Sequence, residues 1–205
     1  MYSTAAAGLM LIAGGAPAGA APTISEIYDV AGDVQPGYLD IVRAWVEKVD
    51  DVTVTFCMEL AEPVPAQAEW YVAYIWGLDI DQDPSTGQEL HLGSERNVRL
   101  AYIPDPEQGG PTWGGWVDYI DEQTGTPPLP MTIEGERIAI TLPITEARDL
   151  PYALDPDGRF NWSACCFENR ANPRVYNPQL ESNPRDRAPN AGSCFAALDA
   201  PLPPP

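Results

Sequence analysis

Residues 52–60, VTVTFCMEL, decide the fold class. Val52, Val54, Phe56, Met58 and Leu60 fall on one side of an extended chain, and Thr53, Thr55, Cys57 and Glu59 on the other. A period of two with β-branched and aromatic residues is the pattern of a half-buried strand, since successive side chains of a strand point to opposite faces. Similar stretches run from Leu39 to Val49, Trp70 to Ile80, Asn97 to Ile103, Trp116 to Ile120, Arg137 to Leu142 and Arg159 to Phe167. Between them stand turn formers: Asp50-Asp51, Pro63 to Pro65, Pro84 to Gly87, QGGP, TGTPP and Glu134-Gly135-Glu136. The expected fold is all-β, an antiparallel two-sheet β-sandwich of jelly-roll type. Only ITEARDL, Ile144 to Leu150, reads as a helical turn, with Thr145 as N-cap and Pro151 as stop. No βαβ rhythm supports a parallel sheet with a nucleotide crevice.

The 205 residues suit one domain. Residues 1–20 hold a short apolar run and then Ala18-Gly19-Ala20, the small-residue pattern of a secretory cleavage site before Ala21, so export to the cell surface or medium is expected. The usual basic start of a leader is missing, which suggests a truncated or misplaced N-terminus. Residues 21–170 are expected to form the sandwich. From residue 171 the composition turns to Asn, Pro and Arg and ends in DAPLPPP, an irregular tail with too little apolar content for a core of its own.

A formal net charge of −19 repels nucleic acid and anionic lipid, and makes cations the natural partners. No segment reaches the length of apolar sequence that a spanning helix needs, so membrane insertion is not expected. Four cysteines, Cys57, Cys165, Cys166 and Cys194, in an apparently exported chain point to disulfides rather than to zinc, for which the spacing is poor. Adjacent Cys165 and Cys166 would face opposite sides of a strand, one pairing with Cys57 and the other with Cys194, in either order.

Two acidic clusters carry the functional signal. In YIWGLDIDQDPSTG, residues 74–87, a strand runs into Asp79, Asp81 and Asp83, followed by Ser85, Thr86 and Gly87. Several oxygens converging on one loop suit a hard cation such as Ca²⁺, which takes six to eight. The loop is not an EF-hand, because Pro84 and Leu90 stand where that motif needs glycine and glutamate. YDVAGDVQPGYLDI, residues 28–41, supplies Asp29, Asp33 and Asp40, and the two clusters could meet in one site. The competing reading is that each aspartate simply bonds its own backbone in an Asx-turn.

Asp-x-x-Gly-Asp, Tyr-Leu-Asp-Ile, an alternating strand and then Asp-Ile-Asp-x-Asp-Pro-Ser-Thr-Gly together resemble exported bacterial jelly-roll domains, similar to DOMON and family-nine-like carbohydrate-binding modules, over about residues 23–168. The resemblance implies a two-sheet sandwich with acidic loops that hold structural calcium. His91 is the only histidine and has no paired methionine, which argues against a haem role.

In PTWGGWVDY, residues 111–119, Trp113, Trp116 and Tyr119 could form an aromatic platform for a sugar ring or pack in a core. Ser-His-Asp chemistry lacks its Gly-x-Ser-x-Gly setting, and abundant acids neither establish nor exclude glycoside hydrolysis. The expected function is therefore an exported, non-catalytic, calcium-binding module serving adhesion or surface assembly, with a surface protein or glycan as partner. A carbohydrate-binding accessory of a glycan-degrading system is the alternative, and a small glycoside hydrolase the third reading.

Overall fold

A computed structural model describes residues 23–50, 53–88, 93–105, 110–120, 124–125, 128–143, 159–170, 184–189 and 193–197. The leader at residues 1–20, the helical turn expected at Ile144 to Leu150, His91, and most of the tail lie outside them. The strands are β1 (Thr23–Tyr28), β2 (Ile41–Lys48), β3 (Thr53–Leu60), β4 (Tyr71–Asp79), β5 (Arg96–Ile103), β6 (Thr112–Tyr119), β7 (Thr124–Gly125), β8 (Met131–Glu134), β9 (Arg137–Pro143), β10 (Arg159–Asn169), β11 (Arg185–Ala188) and β12 (Cys194–Ala197). One 3-10 turn spans Gly37–Leu39. No helix among the described residues is long and apolar enough to cross a membrane.

The strands form two antiparallel sheets. The first has the order β1-β2-β3-β9-β8, and the second β11-β10-β4-β5-β6-β7, with β12 also paired to β10. The sandwich predicted from strand periodicity is thus the observed architecture. The even-numbered side of β3, Val54, Phe56, Met58 and Leu60, meets Val72, Tyr74, Trp76 and Leu78 of β4 in the apolar layer between the sheets. Trp76 crosses that layer. Its Nε1 donates to the Cys57 carbonyl at 3.1 Å, and its ring lies 6.3 Å from that of Phe56.

Both outer faces are also partly covered. On the first sheet, Trp45, Cys57 and Ala139 form a small buried cluster, with the guanidinium groups of Arg43 and Arg137 4.5 and 4.9 Å from the Trp45 ring. On the second, Tyr71, Ala73, Ile75, Ala101, Cys165 and Phe167 are buried together. Strand β4 is therefore buried on both faces along its whole length. Alternation alone would have left its odd-numbered side in water.

The stretch expected to be an irregular tail adds two strands. β11 pairs with β10 from Ala164↔Ala188 to Phe167↔Arg185, and β12 pairs with it from Arg159↔Ala197 to Trp162↔Cys194. Backbone pairing, not a disulfide, ties this stretch to the sandwich. All four cysteines carry thiols. Cys57 lies on the outer face of the first sheet and Cys165 on the outer face of the second, with the core between them. Cys166 points into the core, where its thiol donates to the Leu39 carbonyl. Cys194 sits opposite Trp162, four residues along β10 from Cys166. That offset is about 13 Å of strand, beyond the Cα separation of about 7 Å that a disulfide spans. The expected disulfides are corrected by this placement.

Candidate metal centres

The first acidic cluster is built by the β4–β5 hairpin. Alternation places Val72, Tyr74, Trp76 and Leu78 inward, with Ile80 packed against the same core, and so turns Asp79 to the outer side at the end of β4. The register Leu78↔Arg96 then sets Glu95, just before β5, beside it, and the Glu95 amide donates to the Leu78 carbonyl at 3.0 Å. Carboxylate oxygens of Asp79, Asp81 and Glu95 lie within 4.8 Å of one another. Glu95 was not anticipated. The hairpin register is the signal that identifies it, because an antiparallel return brings the residue before β5 opposite the end of β4.

Asp79 is only 2% exposed, and its Oδ1 is buried without a hydrogen-bond partner, while Oδ2 accepts from Asn161 Nδ2 at 3.1 Å. Burial, opposed by the Asn161 hydrogen bond and reinforced by nearby Asp81, raises the Asp79 carboxyl above its ordinary value. Burial raises Glu95 as well, against the hydrogen bonds it accepts from the Ile80 amide and the Thr86 hydroxyl. The Thr86 hydroxyl is crowded by four acceptors: Asp81 Oδ1 and Oδ2 at 3.1 and 3.0 Å, the Asp83 carbonyl at 2.9 Å and Glu95 Oε1 at 3.0 Å. A hydroxyl carries one proton. Most of these oxygens therefore face Thr86 without receiving its hydrogen.

Asp83 follows the Asx-turn reading instead. It is exposed, and its Oδ1 accepts from the Ser85 amide at 3.0 Å and the Ser85 hydroxyl at 2.6 Å, which lowers its carboxyl below the ordinary range. Its side chain is outside the carboxylate group, although its carbonyl faces Thr86.

Two glycines let the loop close. Gly87 has φ +60 and Gly93 φ +84, and a Cβ on Gly93 would come within 2.5 Å of Pro84 Cα. Gly93→Ala is expected to cost about 1–3 kcal/mol through strain and backbone clash. A thermal melt measures it, and an unchanged midpoint would show that the close approach is not maintained in solution.

The second acidic cluster is separate. Asp33 and Asp40 join Asp186 of β11, with carboxylate oxygens of all three within 4.8 Å of one another. Asp29 uses Oδ1 to accept from the Val30 amide and is not in that group. Asp186 pairs across with Cys166, and Cys166 with Tyr74. Tyr74 precedes Asp79 by five residues, about 16 Å along the strand, and faces the core where Asp79 faces outward. The expectation that the two clusters share one site is corrected by this register. No sequence pattern marks Asp186, which stands in PRDRAP.

The aromatic trio is divided by the pleat of β6. Trp113 and Tyr119 turn inward, Trp113 stacking on Tyr74 at 5.9 Å, while Tyr119 is buried in the core. Trp116 turns to the other face, where Nε1 donates to Asp118 Oδ1 at 2.8 Å and the Arg99 guanidinium lies 5.8 Å from its ring. Three rings on two faces do not make one platform for a sugar. In comparisons with known proteins, no family model matches the chain, and no curated protein or solved structure matches it at a significant level.

Proposed function

We propose that the chain is an exported, non-catalytic β-sandwich module that binds Ca²⁺ structurally at Asp79, Asp81 and Glu95 and serves adhesion or assembly at the cell surface. The observation that carries this reading is the buried Oδ1 of Asp79, without a partner and next to two further carboxylates. A buried carboxylate oxygen with neither donor nor counter-ion is costly, and the usual remedy is a proton, a cation or a hydrogen bond. An all-oxygen donor set favours a hard divalent ion. The Thr86 hydroxyl and the Asp83 carbonyl are further oxygens at the same loop. Such a loop, with the ligand Asp81 exposed, suits the weak affinities of extracellular modules, on the order of 10⁻⁴–10⁻³ M. The net charge of −19 favours cation uptake throughout.

Thermal melts in CaCl₂ and in chelator test the reading. At a hundredfold excess over Kd, binding to the folded state alone stabilises by about 2.7 kcal/mol, which for a chain of this size raises Tm by about 5–10 °C. Asp79→Asn is expected to remove most of that shift. Equal midpoints in calcium and chelator, with no heat of binding by calorimetry, would defeat the proposal.

A further inference from the structure

We infer that Asp33, Asp40 and Asp186 form a second, independent divalent-cation site that clamps β11 to the loop between β1 and β2. Three acidic side chains in proximity do not by themselves make a site, but Asp40 adds a separate observation. It is fully buried, and although Oδ2 accepts from the Gly32 amide at 2.5 Å, Oδ1 is buried with no partner. A buried carboxylate oxygen without a donor is costly, and a cation shared with the two neighbouring carboxylates would satisfy it.

Those amides already hold the other ligand in place. Asp186 is almost fully buried, and its Oδ2 accepts from the Ile41 amide at 2.6 Å while Oδ1 accepts from the Arg187 amide at 2.7 Å. Each oxygen keeps a lone pair for a metal. Asp33 is exposed and completes the group from the solvent side, which leaves room for water in the coordination shell. Oxygen ligands alone, with open positions for water, fit Ca²⁺.

The placement gives the ion a task distinct from that of the Asp79 loop. β11 belongs to the second sheet through four residue pairs with β10, whereas Asp33 and Asp40 precede β2 of the first. A cation held by all three joins the two sheets at this end and fastens β11 to the body of the sandwich. Removing the ion would loosen β11 while leaving the β4–β5 loop untouched.

Calorimetric titration of the full chain with CaCl₂ separates the sites. The wild type is expected to bind two equivalents, Asp79→Asn to retain one, and Asp33→Ala combined with Asp79→Asn to bind none. Asp33 is exposed, so its replacement leaves the fold intact, and Asp186→Asn in the same background gives a second check. Hydrogen exchange of the Ile41 and Arg187 amides, which both donate to Asp186, should slow on addition of calcium to Asp79→Asn. An equivalent that survives Asp79→Asn and disappears with Asp33→Ala supports the clamp even when the Asp79 loop binds nothing. Loss of all binding in Asp79→Asn, or calcium binding unchanged by adding Asp33→Ala, would overturn it.

Discussion

Replacing Trp76 with alanine is expected to cost about 3–5 kcal/mol of folding stability, a large share of the 5–15 kcal/mol typical of a folded domain. The side chain is fully buried on the central strand of the second sheet. It packs against Phe56 and donates to the Cys57 carbonyl of the facing sheet, so its removal opens a cavity in the layer that holds the sheets together. It also leaves that carbonyl without the indole donor. Trp76→Phe, which keeps most of the apolar volume but not the N–H, should cost much less. Urea unfolding of both variants measures the difference, and an alanine variant with a midpoint near that of the wild type would show that the sheets are not held through this residue.

Stability is also expected to fall steeply above about pH 9. Burial pushes the thiols of Cys57 and Cys165 up to about 12, against an ordinary value of 9.0, and raises Cys166 well above that ordinary value too. In the window from about pH 9 to 12 the unfolded chain has released these protons and the folded chain has kept them. The native state then binds more protons than the unfolded state, so unfolding becomes easier as pH rises. Each such thiol contributes a slope of about 1.4 kcal/mol per pH unit. Stability from these groups is complete below pH 9 and lost as pH approaches 12. Burial raises Tyr71 and Tyr74 as well, which extends the loss beyond pH 10. Denaturation midpoints between pH 8 and 11 provide the test, with Cys57→Ala expected to flatten the profile. Rapid alkylation of Cys57 and Cys166 in the native protein at pH 8 would contradict the burial on which the prediction depends.

The two acidic clusters show how far local sequence reaches. Asp79 and Asp81 were identifiable because a strand of known parity ends there, and parity determines which carboxylates share a side. Asp83 answers to the same local rules but in the other direction: serine two residues on captures its carboxylate in a turn. Glu95 and Asp186 are ligand candidates that come from the pairing of strands distant in sequence. Glu95 follows once the β4–β5 register is known. Asp186 follows only from β11 lying beside β10, and four residues of RDRA carry too little pattern to announce a strand.

The cysteines and the aromatic trio make the same point from the opposite side. Adjacent Cys165 and Cys166 do face opposite sides of a strand, as alternation requires. Which sides those are, and that each is lined with apolar neighbours and lies away from Cys57 and Cys194, depends on how the sheets stack. Trp113, Trp116 and Tyr119 are neighbours in sequence, yet their offsets of three and six residues place one ring on the face opposite to the other two.

By itself, then, the sequence determined the all-strand class, the two-sheet architecture and the inward side of β3 and β4, because a period-two apolar pattern can be buried in only one orientation. Only the tertiary structure decided the partners: which strand returns beside which, that β4 is covered on both faces, that the acidic loops stand apart, and that Asp186 reaches across to β2. The physical reason is that side-chain alternation is a property of a single strand, whereas register, sheet order and the meeting of carboxylates arise from pairings between segments that local pattern does not link.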